Sequence, residues 1–290
     1  MKKELHERQL QLEPGRRIRL EDFDPGRTDG FATKDDATEK LAADVEKLAA
    51  LQDVFAADRR HALLIILQGG DTAGKDGVIA HVMSNVNPLG VNVTSFKTPS
   101  EEERLHGYLW RCTKALPERG HIGIFNRSYY EEVGIVRVHP ELVAAEGLSK
   151  PGKRLWRERF EDMVAFERYL TRNGTVVLKI FLNLSKEEQR RRLLARTESP
   201  KKQWKLDAAD LRERDSWDAY RSAYSEMLTH TNAPWAPWFV VPADHKWFAR
   251  VAIAEIIVHR LRAMRLEYPS ITDERRAFLS AARASLDSEK

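Results

Sequence analysis

The chain has 290 residues, with 48 lysines and arginines against 44 aspartates and glutamates, a net charge of +4 and a single cysteine. That length fits one large α/β domain, or one domain with a lid, and the near-balance of charge admits anionic ligands without naming one. The lone Cys112 excludes an internal disulfide and fits a reducing compartment, the opening MKKELHERQL lacks the apolar core of a signal peptide, and no apolar run is long enough to span a membrane, so a cytoplasmic location is expected.

Residues 1 to about 35 are polar and broken by Pro14, Gly15, Pro25, Gly26 and Gly30, and read as an irregular extension draped on the core. From Asp36 to about Phe55, the residues Leu41, Val45, Leu48, Leu51 and Val54 recur at helical spacing. Leu63–Leu67 is a buried strand, and a helix follows from Gly74 to about Asn85. Val91–Phe96 is a second strand, after which Pro99 and Ser100 open a helix whose Glu101–Glu103 suit its N-terminal turn. Ile122–Phe125 is a third. A long amphipathic helix from about Lys153 to Thr171 leads into the strongest strand, Thr175–Leu182. Ser185 and Glu188 have capping-box spacing. A basic segment, Arg190–Arg214, precedes a helix with Trp217, Tyr220, Tyr224 and Met227 on one side. Phe239–Val241 is the last strand and Lys246–Met264 the closing helix, with a polar helical tail from residue 271.

Short apolar strands alternating with helices indicate a parallel sheet covered on both faces. Ligands of such sheets lie at the C-terminal ends of the strands, where Asp71, Asn126, Arg127 and Asp244 all fall. The stretch LLIILQGGDTAGKDG carries Gly69, Gly74 and Lys75 at the G-x-x-x-x-G-K spacing of a phosphate-binding loop. The backbone N–H groups of Gly70, Thr72, Ala73 and Gly74 would cradle phosphate, helped by the helix dipole, and Lys75 would reach the terminal phosphates. Asp76 stands where a metal-ligating Ser or Thr is usual. The metal must then be held elsewhere, and Asp71, Glu131 and Glu132 are the candidates. Cations gather on two sides. Lys75 and Arg127 form one set, and the segment with Arg192, Arg196, Lys201, Lys202 and Lys205 forms a basic, mobile lid over residues 186–215. The histidines show no paired metal-site spacing, and Trp204 amid its lysines is only a weak sign of nucleic-acid binding.

GGDTAGKDG from Gly69, FNRSYYEEV from Phe125 and APWFVVPADHKWFAR from Ala236 together resemble the polyphosphate kinase 2 family, over about Leu63 to Arg250. The resemblance implies a thymidylate-kinase-like P-loop domain over residues 36–270, which includes the helical lid, and Mg²⁺-dependent phosphoryl transfer between inorganic polyphosphate and AMP, ADP or ATP, or the corresponding guanine nucleotides. It further implies catalytic roles for Asp71, Lys75, Arg127, Glu132 and Arg196. Polyphosphate contacts are expected from the lid cations, and nucleotide contacts from Asp76, Asn126, Arg127, Asp244 and Lys246. The family often has Asp at position 126, and the Asn form followed by two acids resembles the subgroup that accepts AMP as well as ADP. No nucleic-acid or membrane partner is expected, and a homo-oligomer, dimer or tetramer, is. Two other readings stay open: an ATP-dependent kinase of a small metabolite or nucleoside, and a polyphosphate- or nucleotide-binding module without turnover.

Overall fold

The computed structural model describes residues 9–31, 33–144 and 152–289. Its centre is a five-stranded, wholly parallel sheet in the order β2-β3-β1-β4-β5, with β1 Ala62–Gln68, β2 Val91–Ser95, β3 Ile122–Asn126, β4 Thr175–Asn183 and β5 Trp238–Pro242. Every residue of β1 and β5 is buried, as expected of strands covered on both faces. The helices are, in chain order, α1 Lys34–Asp58, α2 Lys75–Val82, α3 Glu101–Arg104, α4 Trp110–Lys114, α5 Ile135–Val138, α6 Glu141–Ala144, α7 Lys153–Arg172, α8 Lys186–Glu198, α9 Ala208–Asp215, α10 Trp217–Thr231, α11 Lys246–Ala263 and α12 Asp273–Ser288.

Side chains alternate across each strand, so each strand feeds two cores. Leu63, Ile65 and Leu67 of β1 pack with α1, α2 and α11, whereas Leu64 and Ile66 pack with Tyr129, Met163 and Met227 on the other side. The second core holds a buried polar knot. Lys179 of β4 and Glu167 of α7 pair at 2.6 Å with neither side chain exposed, and Glu167 also accepts hydrogen bonds from the hydroxyls of Tyr129 and Tyr130. Lys179 completes its shell on the Thr231 carbonyl at 2.6 Å.

The N-terminal extension is more than a polar drape. Leu10, Leu12, Ile18 and Leu20 are buried. Leu12 N–H donates to the Trp238 carbonyl and Val240 N–H to the Leu10 carbonyl, both at 2.9 Å, so a few residues lie antiparallel against β5. This satisfies the backbone groups of an edge that would otherwise be open. Among the described residues no helix is long and apolar enough to cross a membrane. Cys112 is buried, which pushes its thiol up to about 12 and leaves it unreactive at neutral pH.

Candidate active site

The loop between β1 and α2 lies on the rim formed by the strand ends. Gly69 adopts φ +146°, and a Cβ there would sit 2.8 Å from the Leu182 carbonyl, so only glycine fits. Gly74, at φ +104°, opens α2 in the left-handed region. Of the four non-glycine residues in that strained region, two belong to the site, Thr72 at φ 63° and Arg127 at φ 65°. Such strain persists only where surrounding contacts enforce it. For Arg127 they are plain: its N–H donates to the Leu67 carbonyl at 3.1 Å, while Gln68 on β1 donates to Ser128 Oγ at 3.1 Å.

Lys75 is buried under the loop, and its ammonium donates to the Gly69 and Gly70 carbonyls at 2.7 and 3.2 Å. Burial, with help from the nearby Arg127 charge, pulls its pKa down to about 8. A bound polyanion would push it back up, because an opposite charge favours the ammonium form. Hence kcat/KM for the phosphate donor will fall as pH rises through about 8, and Lys75→Arg, which stays charged, will shift that alkaline limb upward. An unmoved limb in the arginine variant would assign the titration elsewhere. The stability effect has the opposite sense. Because the folded pKa is depressed, the unfolded chain binds the extra proton between about 8 and 10.5, and the ligand-free protein gains stability as pH rises through that window.

Arg127 is the junction of the site. Its guanidinium donates to Asp71 Oδ1 at 2.7 Å and to Glu131 Oε2 at 3.2 Å. Burial works against its charge, but Glu131 and Asp71 outweigh that and raise its pKa. Asp71 and Glu131 therefore converge on one cation and would suit a Mg²⁺ ion, which typically takes one or two carboxylates and completes its shell with phosphate oxygens and water. Among the described residues no three His, Cys, Asp or Glu side chains form a closed metal cage. Glu132 does not join them. It is buried, its carboxylate 3.4 Å from the Arg159 guanidinium and 3.8 Å from Arg111. Tyr129–Glu132 is a 3-10 turn, in which consecutive side chains diverge by about 120°, so the two acids cannot face one ion.

A cleft of about 1120 Å³ runs from Asp71 along the loop to α8 and the start of α11, lined by Asp71–Val78, Asn126, Arg127, Arg196, Lys202, Lys205, Asp244 and Lys246. Asn126 donates to Asp76 Oδ1 at 2.8 Å, a contact that a carboxylate at 126 would turn into repulsion. Asp244 is half engaged in structure, accepting the Ser185 N–H at 2.8 Å. Lys97 and Arg250 join the lining without having been singled out as site residues, and Arg191 of the basic segment joins it too. Lys97 lies two residues past the end of β2, and Arg250 one turn after Lys246 on α11, so position after strands was the available signal. Burial, then Arg192 and Lys202, lowers the Lys246 pKa. Lys202, Lys246 and Arg250 form no ion pair among the described residues, so at these three positions the positive charge of the cleft is not neutralised.

The lid cations divide sharply. Lys201 is exposed outside the cleft lining. Arg192 is buried and its donors are spent: on Glu188, on the Thr72 and Ala73 carbonyls at 2.8 and 3.1 Å, and on the Ala243 and Asp244 carbonyls. It staples α8 to the phosphate loop and is a structural residue, not a phosphate-gripping one. Glu188 lies on the same staple, its N–H capped by Ser185 while its carboxylate turns to Arg192. Arg196 borders the same cleft as Arg192, but its bonds to the Lys205 carbonyl and to Asp210 of α9, at 3.1 and 3.2 Å, both run from Nη1. Arg196→Ala should raise the donor KM about tenfold, the size of one charge-assisted hydrogen bond, and leave the melting temperature unchanged. Arg192→Ala should instead lower the melting temperature by several degrees. Thermal unfolding and steady-state kinetics on the two variants will separate these roles; a melting loss in the Arg196 variant would refute the division.

A second cavity, about 250 Å³, shares Arg127 and Glu131 with the site and is lined by Phe96, Thr98, Tyr108, Arg111 and Val136. Arg111 lies over the Phe96 ring at 5.4 Å, and the mixture of aromatic ring, aliphatic wall and guanidinium suits a flat, polar-edged ligand.

A family model described as Polyphosphate kinase 2 (PPK2) matches residues 32–269. An ADP-polyphosphate phosphotransferase of Rhodopseudomonas palustris is 45% identical over 283 residues, 96% of this chain and 98% of that protein. An AMP/ADP-polyphosphate phosphotransferase of Meiothermus ruber is 39% identical, over 90% of this chain and 95% of its own. The crystal structure of polyphosphate kinase 2 from Arthrobacter aurescens TC1 superimposes with a TM-score of 0.88 at 37% identity, over 97% of this chain and 98% of that one.

Proposed function

The chain belongs to the polyphosphate kinase 2 family, and from that premise we propose that it moves the terminal phosphoryl group of inorganic polyphosphate onto AMP and ADP, reversibly. The observation that carries this reading is the place of Arg127. It lines both the long cationic cleft and the cavity beside Phe96, and it is bonded to the two carboxylates between them.

The cleft fits the donor. A polyanionic chain explains cations beyond what a single nucleotide requires, and Lys75 with the loop amides would hold the phosphate nearest the reacting centre. The cavity fits the acceptor base, with the acceptor phosphate reaching Arg127. In the reaction an acceptor phosphate oxygen, already ionised, forms a bond to the terminal phosphorus as the bridging P–O bond breaks, and the shortened polyphosphate leaves with the electron pair. No side chain need remove a proton. Arg127 and Lys75 stabilise charge on the equatorial oxygens, and Asp71 fixes the Arg127 fork in line. Asp71 and Glu131 are the residues that would hold Mg²⁺, which when bound offsets the negative charge of the two approaching phosphates. The name of the Meiothermus relative and the Asn126–Asp76 bond support the use of AMP as well as ADP. A cytoplasmic location, where these nucleotides reside, and assembly as a homo-oligomer complete the reading.

The test is product formation from long-chain polyphosphate, Mg²⁺ and either AMP or ADP, with no ATP added. ATP from both acceptors is expected. Product from ADP alone would remove the AMP assignment, and no product from either, with ATP consumed on a hydroxyl compound, would replace this reading by a small-molecule kinase.

A further inference from the structure

The C-terminal helix α12 presents an apolar stripe that no other element among the described residues covers. Phe278, Leu279, Ala282 and Leu286 recur at three- and four-residue spacing and so share one face. Phe278 is 57% exposed and Leu286 66%, and no residue of the helix is buried. The segment before it is fastened to α1: Arg60 donates to the Arg265 carbonyl, Glu267 N–H to Asp58 and the Tyr268 hydroxyl to Asp53. Beyond Tyr268, the hydrogen bonds and ion pairs of the described residues all stay within the segment itself. A sixteen-residue helix without tertiary support is marginal in water.

We propose that α12 is a self-association surface, on which the helices of two copies of this chain pair antiparallel and cross at Ala282. Charge selects both partner and direction. At 100° per residue, Arg275 and Glu289 fall on the same face as the stripe, one at each end. An antiparallel pair centred on Ala282 sets Arg275 of one copy against Glu289 of the other at both ends. The same register packs Phe278 of one against Leu286 of the other and brings the smallest side chain of the stripe to the crossing point. A parallel pair would oppose Arg275 to Arg275 and Glu289 to Glu289. The surface is therefore complementary to itself, as a two-fold contact requires. Outside the stripe, Asp273 and Asp287 are ion-paired with Arg276 and Arg283, so the helix offers no net positive charge that would draw it to an anionic lipid surface instead.

The test uses the full-length chain. Cys112 is buried and adds no background. Ala282→Cys should form an inter-chain disulfide on mild oxidation at least tenfold faster than Ser280→Cys, which lies on the opposite face. In sedimentation experiments Arg275→Glu should weaken association at least tenfold, and adding Glu289→Arg should restore it, with activity per subunit unchanged throughout. Equal crosslinking at the two cysteines, no rescue by the paired charge reversal, or a wild-type chain that sediments as a monomer at every concentration would each overturn the pairing.

Discussion

Asp71→Asn will reduce kcat by about three orders of magnitude and leave the fold intact. The substitution is isosteric, but it removes the negative charge that holds Arg127 at 2.7 Å and one of the two carboxylates able to hold a metal. Charge groups aimed at a transferring phosphoryl group are worth ~10²–10⁵ in rate, and here one change disturbs two of them. Both side chains are 33% exposed, so the ion pair itself contributes only ~0–1 kcal/mol to stability, and the melting temperature should move by less than about 3 °C. Initial rates and thermal unfolding of one preparation give both numbers. A rate within tenfold of wild type would take Asp71 out of the mechanism. Lys75→Ala should be similarly inactive for a different reason, the loss of the cation beneath the loop.

Glu167→Ala will be the most destabilising single change considered, by ~3–5 kcal/mol, because it strands the Lys179 ammonium in a fully buried site. Burial already lowers the Lys179 pKa, and without its carboxylate the lysine must fold neutral or unsolvated. For a chain of this size the loss corresponds to a melting decrease on the order of 10 °C. The double variant Glu167→Leu with Lys179→Met, which removes both charges, should recover much of it. Equal instability of single and double variants would show that packing volume, not charge, sets the cost. Activity should suffer too: Tyr129 and Tyr130, hydrogen-bonded to Glu167, lie on the turn between Arg127 and Glu131. The knot thus holds the turn between Arg127 and Glu131 to the sheet from behind.

Four of the strands, β1, β3, β4 and β5, were legible because parallel strands covered on both faces must be largely apolar runs, whereas β2, VNVTS, is half exposed and showed itself only by its alternating valines. The phosphate loop was legible because Gly69 and Gly74 meet backbone demands that few other residues can. What escaped depended on how elements dock. Arg192 has the spacing of a free helical cation, yet α8 packs with that face inward, and only the carbonyls of a loop more than a hundred residues earlier account for it. Glu131 and Glu132 look interchangeable in sequence; the tight turn that sends one to Arg127 and the other to Arg159 is set by Tyr129 and Tyr130 entering the core. Leu10 and Leu12 alternate as a strand would, but two residues are too few to separate from a polar segment.

That short antiparallel contact has a consequence in time. Leu10 and Leu12 are synthesised long before their partners, Trp238 and Val240. Closing so distant a pairing is slow, and β5 is itself absent until late in translation. Until β5 has been made, then, Leu10 and Leu12 have no place to dock, and the nascent chain carries them unburied. Completion of the sheet waits on β5, so a chain that stops before Trp238 lacks both that strand and the seat of Leu10 and Leu12.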